Sequence, residues 1–139
     1  MIKKTPNLAA TRRPTPGFAQ HVLDVFGSFG GIELRRMFSG YGLFRDGLMF
    51  GLVYDQAVYL KADTDNIAEF RKEGLFQFLY QRKGKLARLS YYRPPDSVMD
   101  DPCEAARWAR LAFEAALRGA ASKAKAVRNR SQRKSTLER

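Results

Sequence analysis

Arg35 to Leu60 reads RRMFSGYGLFRDGLMFGLVYDQAVYL, and this stretch decides the fold. Short apolar runs alternate with turn residues, the pattern of three or four strands in close succession. Asp46-Gly47 is the sharpest turn. A two-residue Asp-Gly loop accepts the positive φ values of a type I′ hairpin, and apolar runs flank it on both sides. Asp55-Gln56 is a weaker two-residue turn. Between these turns Leu48, Phe50, Leu52 and Tyr54 alternate with Met49, Gly51 and Val53; in the next strand Ala57 and Tyr59 alternate with Val58, Leu60 and Ala62. Both faces of these strands are therefore largely apolar. Either helices cover both faces or a second subunit covers one.

Outward from this core, Thr15 is a good N-cap and Pro16 a good first-turn residue for a helix. Phe18, Val22, Val25, Phe26 and Phe29 give that helix one apolar face, and Gly30-Gly31 ends it. After the strands, Asp63 or Thr64 caps a short helix with Ile67 and Phe70 facing inward and Gly74 as its stop. Leu75 to Tyr92 reads as another hairpin, with Phe76, Phe78 and Tyr80 on one face and the turn near Lys83-Gly84-Lys85. Pro94-Pro95 breaks it. The last helix has Asp101 as N-cap, Pro102 at its first position and Glu104 placed as in a capping box. Trp108, Leu111, Ala112 and Ala115 face inward, while Arg110–Glu114 and Glu114–Arg118 have the spacing of i,i+4 pairs. Gly119 is its expected end. The order α-β-β-β-β-α-β-β-α describes a two-layer α+β domain, an antiparallel sheet packed with helices, over residues 15–119. Residues 1–14 read as a disordered basic arm, and 120–139 as a basic tail, partly helical or disordered.

The 139 residues carry a formal charge of +11, and its location matters more than its size. Residues 1–16 hold four basic side chains and no acid; residues 17–119 hold 14 basic against 13 acidic; residues 120–139 hold seven basic against one acidic. The domain is nearly neutral and the basicity sits at the ends. Cys103 is the only cysteine, so no internal disulfide forms. No stretch has the apolar length of a signal peptide core or a membrane span. A soluble cytoplasmic protein is the expectation, with no membrane contact.

No catalytic set assembles from these residues. His21 and Cys103 lie in different helices, and neither belongs to a cluster with metal-ligand spacing. Asp63, Asp65, Asp100 and Asp101 come in close pairs, but where helices start, so capping explains them and no metal is expected. Ser39-Gly40-Tyr41-Gly42 lacks the Lys-Ser/Thr ending of a phosphate loop and precedes a strand; a tight turn or bulge with a special glycine φ accounts for it. Arg35, Arg36 and Lys61 could hold an anion, but no base or nucleophile accompanies them. Two basic features are candidates for nucleic-acid contact. The hairpin carries Arg82, Lys83, Lys85, Arg88 and Arg93 among tyrosines; the tail carries Lys123, Lys125, Arg128, Arg130, Arg133 and Lys134.

The signature residues Arg35, Arg36, Met37, Phe38, Gly40, Tyr41 and Gly42, with Leu43-Phe44, Met49 to Val53 and Tyr59 to Asp63, resemble the N-terminal domain of TfoX, the regulator of competence-specific genes. Phe70, Gly74, Phe78, Tyr80, Lys83 to Lys85, Ser90 to Tyr92 and Trp108 to Arg110 continue the likeness over roughly 18–118. Ser39 stands where that family usually has glycine. The resemblance implies a two-layer α/β domain that often self-associates, with no established enzymatic activity and no cofactor. It implies a regulatory role in the positive control of DNA-uptake genes. Full-length regulators of this kind carry a second domain where this chain carries the basic tail, so a stand-alone N-terminal domain is expected. The expectation is a non-enzymatic regulatory module, a homodimer with a protein partner in a regulatory complex. The alternative is a non-specific nucleic-acid-binding protein using the tail and the 82–93 hairpin.

Overall fold

The computed structural model describes residues 14–37, 39–82 and 84–137. The expected arm over residues 1–14 lies outside them apart from Pro14, as do Phe38 and Lys83. Helix α1 spans Pro16–Phe26 and ends in a short 3-10 turn over Gly27–Phe29. Thr15 caps it as expected, its hydroxyl accepting from the Phe18 amide at 3.2 Å. Four strands follow: β1 (Ile32–Met37), β2 (Gly40–Arg45), β3 (Leu48–Tyr54) and β4 (Ala57–Lys61). Then come α2 (Ile67–Lys72), the hairpin β5 (Gln77–Arg82) and β6 (Lys85–Tyr92), and α3 (Pro102–Leu137). The six strands form one antiparallel sheet in the order β1-β2-β3-β4-β6-β5. This is the α+β arrangement and element order that the sequence predicts.

Asp46 and Gly47 have φ values of 50° and 77°, the left-handed pair that a type I′ turn needs between β2 and β3. Within β3 the simple alternation fails. Leu43 pairs with Gly51 but Phe44 pairs with Met49, leaving Phe50 as an extra residue on β3. This bulge changes the parity of the strand. Leu48, Phe50 and Val53 face the helices, whereas Met49, Leu52 and Tyr54 face the other way. Grouping Leu52 and Tyr54 with Leu48 and Phe50 was therefore wrong, because one inserted residue turns every later side chain over.

All three helices pack on one face of the sheet. Val22 and Phe26 of α1, Phe70 of α2, and Trp108, Ala109 and Ala112 of α3 meet Leu43, Phe50, Val53 and Leu60 there. Trp108 packs tilted against Phe70, with 5.0 Å between ring centres. Asp101 caps α3, its carboxylate accepting from the amides of Cys103 and Glu104 at 3.0 and 3.3 Å. The Glu104 carboxylate turns instead to Arg107.

Gly119 does not end α3, which runs for 36 residues. Glycine inside a helix costs about 1 kcal/mol relative to alanine and breaks it only where a competing left-handed cap forms. Ala120, Ala121, Lys123, Ala124, Lys125 and Ala126 follow Gly119, and these strong helix formers carry the helix onward. Ala116 is its last buried residue up to position 132, and residues 121–132 are all exposed.

Candidate functional site

The face of the sheet away from the helices is the most distinctive surface. Among the described residues it is lined by strands alone: Leu52, Tyr59, Phe78 and Tyr91 are buried, with Met49, Tyr54, Tyr80 and Leu89 around them. These side chains are buried without any helix over them because the sheet curls. β6 pairs with β4 over a short stretch: Tyr92 and Tyr91 stand opposite Leu60 and Lys61, and the Ala62 amide donates to the Ser90 carbonyl at 2.8 Å. Beyond Ser90 the β5–β6 hairpin swings over the sheet. Tyr54 on β3 lies 5.3 Å from the Phe78 ring and 6.4 Å from the Tyr80 ring on β5. A flat sheet would hold β3 and β5, three places apart, at about 14 Å. The face is thus a trough, with a small open cleft lined by Met37, Gly40, Tyr41, Leu52, Tyr54, Phe78, Tyr80 and Leu89. Its lining is almost wholly apolar. Burial pushes the Tyr91 hydroxyl up to about 12 and raises those of Tyr59 and Tyr54 above their ordinary value.

Met37, Gly40 and Tyr41 of the signature line one side of this trough. The signature's glycines answer to space, not to φ, since neither has a left-handed backbone. A Cβ on Gly40 would fall on the Val53 carbonyl oxygen. A Cβ on Gly42 would lie 2.5 Å from Met37 Sδ, 2.6 Å from Phe44 Cε1 and 2.9 Å from Met49 Sδ. The expectation of a special glycine φ is corrected: β2 needs glycine so that β3 and two methionines can close over it.

The cations do not converge. Arg35 lies over the Phe44 ring at 4.5 Å and pairs with Glu33 at 3.1 Å, out on the edge strand β1. Arg36 follows on the opposite side of that strand and is exposed. Lys61 sits three strands away at the end of β4, its Nζ 5.3 Å above the Tyr91 ring. These three do not form an anion pocket. On the hairpin, Lys85 and Arg88 are exposed, Arg82 stands opposite Lys85 in the ladder, and Arg93 pairs with Asp96 at 3.2 Å. Lys123, Lys125, Arg128 and Arg130 are all exposed on α3, which also carries Arg133 and Lys134. Among the described residues no three His, Cys, Asp or Glu side chains gather as metal ligands. His21 contacts the Met99 carbonyl at 3.0 Å, and Cys103 is exposed. No helix among the described residues is long and apolar enough to cross a membrane.

One polar cluster escaped the sequence reading. Asn66 is 3% exposed and fully used. Its side-chain oxygen accepts from the Asp63 amide at 2.7 Å, and its amide nitrogen donates to the carbonyls of Lys61 and Leu111 at 3.1 and 3.0 Å. Asp63 in turn accepts from the Asp65 and Asn66 amides, and two nitrogens of Arg118 grip its carboxylate at 2.7 and 2.9 Å. Arg118 also reaches Asp65 at 3.1 Å, so its partners are these acids and not Glu114 along the helix. Hydrogen bonding to Arg118 is the main cause holding the Asp63 carboxyl below its ordinary value. This corner ties β4 and α2 to α3 where the helix leaves the domain. The spacing Asp63-x-x-Asn66 at a helix start was its one sequence signal.

Residues 24–116 match the TfoX N-terminal domain. Over 106 residues the chain is 29% identical to Protein Sxy of Escherichia coli, covering 76% of this chain and 48% of that protein. Over 63 residues it is 33% identical to DNA transformation protein TfoX1 of Aliivibrio fischeri, covering 45% of this chain and 30% of that protein. The chain thus spans half or less of the length of these relatives. It belongs to the TfoX N-terminal domain family.

Proposed function

We propose that this member of the TfoX N-terminal domain family is a non-enzymatic regulatory and interaction module of the competence-regulator type, acting in the cytoplasm as a homodimer. The observation that carries the reading is the trough: among the described residues one sheet face has a helical layer, and the other has only its own curl over an apolar lining. An apolar face of this kind gains free energy by leaving water. At one edge of this sheet lies β1, whose outer side pairs with no strand among the described residues. The order Ile32-Glu33-Leu34-Arg35-Arg36 is self-complementary. An antiparallel second copy centred on Leu34 sets each Glu33 against the other copy's Arg35, twice by two-fold symmetry. The two sheets then become continuous, and the troughs remain open to a protein partner in a regulatory complex.

Light scattering over a concentration series tests the dimer, which should approach twice the 15.8 kDa protomer mass. A strict monomer at the highest concentration overturns it. Arg35→Glu should weaken the dimer, and adding Glu33→Arg should restore it. The regulatory role is read by complementation: in a strain lacking its own copy, the chain should restore transcription of DNA-uptake genes.

A further inference from the structure

The outer half of α3 has no place in that reading, and its charge pattern points to a second partner. From Ala120 to Leu137 the helix carries six basic residues and no acid. Nothing from 121 to 132 is buried. At about 100° per residue, Lys123 and Arg130 share one side of the helix, while Lys125 and Arg128 lie on the opposite side. The small residues Ser122, Ala124, Ala126 and Ser131 lie between the two flanks, together with Val127 and Asn129. The segment is therefore a slim rod with cations on two opposed flanks. Its 17 residues beyond Ala120 extend about 25 Å. The root is fixed: Arg118 is held by Asp63 and Asp65, and Lys61 passes beside Gly119.

We propose that this outer half of α3 is a duplex-DNA-binding element that lies in the major groove and contacts phosphates on both walls. The B-DNA major groove, about 12 Å wide, admits one α-helix between two phosphate rows. Cations on opposed flanks suit two rows at once, and small residues let the backbone approach the groove floor. An anionic membrane would engage one flank only and needs an apolar stripe. Val127 is the one large apolar side chain between Ala120 and Arg130, and it stands 60% exposed among charges. The hairpin is not part of this element, since Arg93 is already paired with Asp96. Contacts of this kind hold duplexes of any sequence.

The test is fluorescence anisotropy of the full chain with a labelled B-form duplex across a salt series. Six phosphate contacts predict a slope of log K against log salt of about −5. Replacing Lys123, Lys125, Arg128 and Arg130 together by Gln should reduce that slope by about 3 to 4, while Lys85→Gln with Arg88→Gln should leave it unchanged. Ala126→Pro keeps every charge but breaks the rod, and should weaken binding about tenfold or more. Circular dichroism confirms the lost helix in that variant. The proposal is overturned if the fourfold variant binds as the parent does. It is equally overturned if the proline variant keeps full affinity, which describes a featureless polycation. Binding to an A-form RNA duplex or to anionic vesicles as tight as to DNA also overturns it, because the deep, narrow A-form major groove excludes a helix. None of these outcomes depends on whether the chain dimerises through β1.

Discussion

The two faces of the sheet share a backbone and differ in how their side chains leave water. On the helix side, Trp108, Phe26, Phe50 and Phe70 interlock with residues from three separate helices. On the trough side, Leu52, Tyr59, Phe78 and Tyr91 reach similar burial with strand neighbours alone. The first is a core made by docking elements; the second is made by bending one. A docked core is closed to newcomers. A bent one keeps an open mouth, here rimmed by Met37, Met49, Tyr54 and Tyr80. A regulatory module can use one face for stability and the other for contact.

The comparison is most easily broken at Trp108. Trp108→Ala should cost about 3–5 kcal/mol in urea unfolding, because a large fully buried side chain leaves a cavity that the packed helices cannot fill. Partly buried Met49→Ala on the trough rim should cost about 1 kcal/mol or less. Equal losses would mean that the trough is a second closed core.

Next in size is the corner that aims α3. Asn66→Ala strands the Asp63 amide and removes the donations to the Lys61 and Leu111 carbonyls, and a loss of about 2–3 kcal/mol is expected from thermal unfolding. The glycines sharpen the contrast further. Gly40→Ala should be the more damaging of the two signature substitutions, at about 2 kcal/mol or more, since its Cβ meets backbone that cannot yield. Gly42→Ala meets two flexible methionine ends and one ring, so about 1 kcal/mol is expected. The reverse order would place the close approach elsewhere.

The smallest effect near neutral pH becomes visible in alkali. Burial raises Tyr91 from 10.0 to about 12 and moves Tyr54 and Tyr59 in the same direction. A tyrosine that holds its proton more tightly when folded contributes stability that is complete below 10.0. That contribution is lost as pH rises through the window up to about 12. Denaturant midpoints should therefore fall across this window, and Tyr91→Phe should flatten the fall. Asp63 works at the other end. Its lowered carboxyl contributes stability above its ordinary pKa, and that contribution disappears as pH falls through the folded value.

Much of the fold could be read from neighbouring residues. Asp46-Gly47 announced its turn because both left-handed φ values are set by two residues. Thr15 and Asp101 announced their helices because a cap acts over three positions. The candidate site was harder. The apolar character of both sheet faces was plain in the alternation, yet which residues share a face was not. The bulge at Phe50 depends on how β3 registers against β2. Gly119 looked like a stop because a glycine stop is a local sign; whether it operates depends on the helix formers beyond it.

The sequence by itself determined the strands, the hairpin turns, the caps, the family and the charge at the ends, because each rests on short-range chemistry or on composition. Only the tertiary structure decided the rest. It curled β5 and β6 over the face of β3 and β4, spent the glycines of Gly40-Tyr41-Gly42 on close approach, and turned Arg118 from Glu114 to Asp63. Each of these is settled by groups distant in the chain meeting in space, and a local pattern records only one side of such a meeting.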